Sequence, residues 1–129
     1  MTRNFIPDEI TQFIVDKIDS VAQLEALLLL RSSPEEKWSV SALSGRLYIN
    51  EKETAEVLAH LRMHGFAIIK SNDPLVYQYQ PASIELQQKV DRVAEIYSKH
   101  LLPVTNLIHS KPKTRIQEFA DAFKFRKDN

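Results

Sequence analysis

The chain has 129 residues, of which 43% are hydrophobic, enough to bury one core without covalent staples. With no cysteine it excludes a disulfide scaffold, a cysteine zinc site and a thiol nucleophile, and its 17 basic residues balance 17 acidic ones, so the overall basic excess usual for nucleic-acid binding is missing. The longest aliphatic run, Ala26 to Leu30, is far short of the roughly 20 residues that cross a bilayer, and Asp8, Glu9 and Asp16 interrupt any leader-like start, so a cytoplasmic protein with no membrane span is expected.

Taken in order, Pro7 followed by Asp8 and Glu9 suits a helix start, and that helix should run to about Ile18. Asp19-Ser20 can cap a second helix, in which Val21, Leu24, Leu27 and Leu28 recur at helical spacing until Ser32-Ser33-Pro34. Trp38 and Val40 bracket a short extended piece, with Trp38 expected to anchor it in the core. Ser41 is placed to cap the helix carrying Leu43 and Leu47. Asn50 is a strong cap for the next helix, with Glu53 three residues on, and Ala55, Leu58 and Leu61 as its buried side. Gly65 supplies the left-handed residue that closes it.

Phe66 to Lys70 and Val76 to Gln80 read as strands joined by Ser71-Asn72-Asp73-Pro74, with Tyr77 and Tyr79 on one face of the hairpin. From Ser83 to about Ser110 a long seam of Leu86, Val90, Val93, Tyr97, Leu101, Val104 and Ile108 follows, which Pro103 should kink or break. After a second break at Lys111-Pro112, a last helix would align Ile116, Phe119, Ala120 and Phe123. Charge is uneven: the first forty residues lean acidic, and Lys111, Lys113, Arg115, Lys124, Arg126 and Lys127 make the tail basic. The expected organisation is a single domain over 1–129, with N-terminal helices at 7–39, a central unit at 40–80 and C-terminal helices at 83–127.

The central unit is helix, tight turn, helix, hairpin, the pattern of a winged helix-turn-helix whose second helix enters a DNA major groove. Its Leu43 and Leu47, Ile49-Asn50, Leu58 with Leu61, and the Leu-Arg-x-x-Gly-Phe run from Leu61 to Phe66 resemble the winged-helix transcription regulators of bacteria, MarR-like and ArsR-like in the broad sense. The resemblance implies a mainly α fold with a small β-hairpin wing and extra terminal helices, and a DNA-binding, non-enzymatic, dimeric regulator. Two features depart from the pattern. Tyr48 stands where such turns often hold glycine, which loosens or alters the turn. Glu51, Glu53 and Glu56 crowd the exposed start of the second helix, where phosphates would approach.

On this reading the candidates for DNA contact are Asn50, Lys52, Thr54 and His60 on the second helix, with Lys70 and Asn72 on the wing. Leu86, Val90, Val93, Tyr97 and Leu101 are the candidates for a homodimer seam. The alternative is a protein-interaction module that turns Glu51, Glu53 and Glu56 toward a basic protein partner. His60 and His64 have the spacing of a ligand pair but no third ligand beside them, so no metal is expected. With Gly45 and Gly65 as the chain's two glycines there is no phosphate loop, and neither a cofactor nor an enzymatic site is expected.

Overall fold

The computed structural model describes residues 6–111. It contains α1 (Asp8–Lys17), α2 (Val21–Ser32), α3 (Val40–Leu47), α4 (Glu51–Met63), the strands β1 (Ala67–Asn72) and β2 (Leu75–Tyr79), α5 (Ile84–Lys99), and α6 over residues 101–111. The fold is mainly helical with one antiparallel hairpin. The expected last helix with Ile116, Phe119, Ala120 and Phe123, and most of the basic tail, lie outside the described residues. Among the described residues no helix is long and apolar enough to cross a membrane.

Local chemistry sets the helix starts, because the first backbone N–H groups of a helix need acceptors from outside it. Ser20 Oγ accepts from the Gln23 N–H at 3.1 Å, Asn50 Oδ1 from Glu53 at 2.7 Å, and Ser83 Oγ from Leu86 at 3.0 Å. The cap of α3 is Ser39, accepting from Ala42 at 3.0 Å, rather than Ser41. Ser39 is the residue with extended backbone, φ −80° and ψ 161°, which leaves Ser41 inside the first turn.

The ends are equally specific. Gly65, at φ 81°, donates to Arg62 O while Phe66 donates to Leu61 O, a left-handed closure that turns the chain from α4 into β1. The long C-terminal seam divides at His100, earlier than the proline itself. Pro103 has no N–H to give to the Lys99 carbonyl, so α5 stops at Lys99 and the proline falls in the first turn of α6.

The core gathers Phe13 and Ile14 of α1, Leu24, Leu27 and Leu30 of α2, Leu43 of α3, Leu58 and Leu61 of α4, Phe66, and Val90 and Val93 of α5. Phe13 meets Phe66 edge to face, with ring centroids 6.0 Å apart. Trp38 pairs with Tyr77 through both backbone bonds, 2.7 and 2.8 Å, adding a one-residue third strand to the outer edge of β2. Among the described residues its indole N–H and the Tyr79 hydroxyl meet no hydrogen-bond partner, and burial, reinforced by Asp91, pushes the Tyr79 phenol up to about 12.

The seam proposed for a second copy is largely the protomer's own core. Val90, Val93 and Tyr97 are buried within the chain, and Leu86 packs half-buried against it; Leu101 alone of the five is exposed. Tyr97 donates its hydroxyl to Glu25 Oε1 at 2.7 Å, which satisfies its polar tip on α2. Arg31 meets Asp91 at 2.7 Å and Lys89 meets Glu9 at 3.3 Å, so ion pairs from α2 and α1 hold α5 in place. Lys111, the first residue of the basic tail, is 4% exposed. Its ammonium donates to the Ile18 carbonyl and to Asp19 Oδ1, pinning α6 to the corner between α1 and α2.

Candidate nucleic-acid interface

Helix α4 packs against α2, α3 and β1, and its inner face is Thr54, Val57, Leu58 and Leu61. Ala55 lies on the opposite side, exposed, where the sequence reading had it buried. The inward position went to Thr54, whose hydroxyl donates to the Asn50 carbonyl at 2.8 Å and so spends its polarity inside the helix. The outer face therefore runs through Glu51, Lys52, Glu53, Ala55, Glu56, Ala59, Arg62 and Met63.

The six proposed contact residues separate accordingly. Asn50 and Lys52 are exposed at the start of α4, and Lys70 and Asn72 are exposed on the wing. Thr54, fully buried, has no surface to offer DNA. His60 is turned inward as well: its Nε2 donates to the Lys17 carbonyl at 2.7 Å and its Nδ1 lies 3.9 Å from the Asp19 carboxylate. It caps the end of α1 instead of facing the groove.

His64 lies beside it, ring centroids 4.3 Å apart and planes tilted by 45°, and also approaches Phe66. Burial, then the neighbouring His60 and Lys17, hold the His64 pKa below its ordinary value, with Asp19 opposing and Lys111 adding. Among the described residues no group of three or more His, Asp or Glu side chains converges as a metal site.

The wing carries an irregularity. Ile69 pairs with Tyr77 and Ser71 with Val76, so Lys70 is an extra residue in the ladder, a β-bulge. A bulge increases local twist and re-aims the side chain it carries, here a cation on an edge strand.

Two residues on this surface are not among the contact candidates that the sequence offers. Ala59, with Ala55, makes a low, apolar centre on the outer face of α4, of the kind that lets a helix sit close to base edges and touch a thymine methyl. Alanine spacing alone gave no signal, since either side of the helix could have been the core side. Tyr48 is the other: it closes α3, and its ring stands in solvent.

The outer face is not basic. Glu51, Glu53 and Glu56 outnumber Lys52 and Arg62, and among the described residues none of the three carboxylates is ion-paired. The Arg46 guanidinium, exposed at the end of α3, sits 5.7 Å from the Trp38 ring centroid, within cation–π range.

No protein-family model matches the chain, and no curated protein matches it. Solved structures do. The multiple antibiotic-resistance repressor (MarR) from Listeria monocytogenes 4b F2365 superposes with a TM-score of 0.51 at 18% identity, over 93% of this chain and 82% of that one. A MarR family protein from Bacillus stearothermophilus superposes with a TM-score of 0.52 at 15% identity, over 94% of this chain and 81% of that one. The likeness extends beyond the central unit to the flanking helices. The chain thus has the MarR-like winged-helix fold.

Proposed function

We propose that the chain is a DNA-binding transcription regulator, not an enzyme, which acts in the cytoplasm as a homodimer. The observation that carries this reading is the outer face of α4: Asn50 and Lys52 open at its start, a smooth Ala55/Ala59 centre, and a wing that exposes Lys70 and Asn72. Together with the fold, that surface supports insertion of α4 in a major groove with the wing on the flanking backbone. Glu56 beside the alanines is suited to accept from a cytosine amino group, which makes the acidic face a source of selectivity at a cost in affinity.

The dimer contact moves with the corrected seam. Leu101 and Leu102 on α6 are 53% and 67% exposed, while Val104 and Ile108 of the same helix face inward. Helix α6 thus offers an apolar outer edge to a second copy, and two copies of α4 would then reach half-sites about 34 Å apart. The reading of Glu51, Glu53 and Glu56 as a site for a basic protein partner draws no support from the two structural neighbours.

Fluorescence anisotropy of the purified chain with a mixed-sequence duplex, beginning at about 50 mM salt, tests the reading. Binding should weaken as salt rises, and Lys52→Ala should shrink the slope of log K against log salt by about 1. Absence of binding at the lowest salt overturns it.

A further inference from the structure

Tyr48 joins α3 to α4 with φ 59° and ψ 37°, the left-handed region where a Cβ crowds the backbone. The turn needs this geometry. The Tyr48 N–H closes α3 on Ser44 O at 2.9 Å, and the Ser44 hydroxyl then donates to Ile49 O at 2.6 Å, which sets the chain up for the Asn50 cap. Nothing in the turn needs the ring. Tyr48 is 92% exposed, so its aromatic surface packs against almost nothing, and glycine would meet the backbone requirement without strain.

A bulky aromatic thus occupies a strained position and returns no burial to the folded chain. Such outliers concentrate where a side chain serves a partner. The position narrows the partner. Tyr48 lies two residues before the Asn50 cap, at the end of α4 where Asn50 and Lys52 are open, and the nearest cation on α3, Arg46, sits 5.7 Å from the Trp38 ring centroid. The phenol is the donor that projects from the turn itself.

We propose that the Tyr48 hydroxyl donates to a backbone phosphate at the rim of the groove that α4 enters, an assignment that rests on the reading of the chain as a DNA-binding protein. Tyrosine hydroxyls belong to the set of side chains that fix register on the duplex through phosphate oxygens without reading sequence. A neutral donor releases no counterion, so its effect is on affinity and not on the salt slope.

Tyr48→Phe and Tyr48→Gly, compared with the native chain by thermal unfolding and by anisotropy on several duplexes, test the proposal. Tyr48→Phe should leave Tm unchanged and weaken binding about tenfold on every duplex, with the salt slope unaltered. Tyr48→Gly should weaken binding at least as much while raising Tm by about 2–5 °C as the left-handed strain is relieved. Native affinity in Tyr48→Phe overturns the proposal while leaving the DNA-binding reading intact. Failure of the native chain itself to bind any duplex overturns both.

Discussion

The two faces of α4 are built from the same thirteen residues under opposite demands. Inward, Thr54, Val57, Leu58 and Leu61 lock the helix onto α2, α3 and β1. Outward, charged residues alternate with Ala55 and Ala59 and touch little of the protein. Folding constrains the first set tightly and the second hardly at all, so the outer residues are free to answer to a partner. The contrast also explains why a recognisable fold accompanies an unusual surface: the fold is written on the face that the surface charge does not reach.

The largest effect should come from breaking the inner face. Leu58 is fully buried, and Leu58→Ala should cost about 2–5 kcal/mol in urea unfolding through lost apolar transfer and the cavity left behind. Ala55→Lys on the outer face should change stability by less than about 0.5 kcal/mol. Comparable losses in the two variants would show that the faces are not separable.

Asn50 sharpens the comparison because it belongs to both faces. Its Oδ1 caps α4, and its exposed amide is a candidate donor to DNA. Asn50→Ala should lose about 1 kcal/mol of stability, the usual worth of a cap. Asn50→Asp keeps an acceptor for the Glu53 N–H and favours the helix dipole, so it should unfold like the native chain while binding DNA more weakly. An Asn50→Asp chain as destabilised as Asn50→Ala would mean that the amide, not the cap oxygen, holds this end of the helix.

Much of this architecture was legible in the residues. Caps at Ser20 and Asn50 and the closure at Gly65 are local events, each settled by a few neighbouring atoms, and so sequence carried them. What escaped depended on which side of an element met the core. Thr54 and Ala55 are adjacent and both small, and choosing between them requires the position of α2 and α3. Val90, Val93 and Tyr97 form a seam that would look the same whether its partner were another chain or, as found, the protomer itself. His60 reads as a DNA-contact candidate and Lys111 as part of the basic tail because the carbonyls they cap, Lys17 and Ile18, lie at remote places in the chain.

The smallest expected effect lies where the inner face of α4 gives way at its C-terminal end. His64 titrates below its ordinary 6.5 because burial disfavours the imidazolium and His60, Lys17 and Lys111 add repulsion that Asp19 only partly offsets. The unfolded chain therefore binds this proton more readily than the folded one. Stability is fully present above 6.5 and falls as the pH drops from there through the lower, folded-state value. Urea midpoints at about pH 7.5 and about pH 5.5 should show this loss, and His64→Gln should reduce it. An undiminished loss in His64→Gln would move the acid sensitivity away from this corner of α4. Since His60 and Lys111 cap the end of α1 here, the same titration measures how firmly α4 is held to the terminal helices.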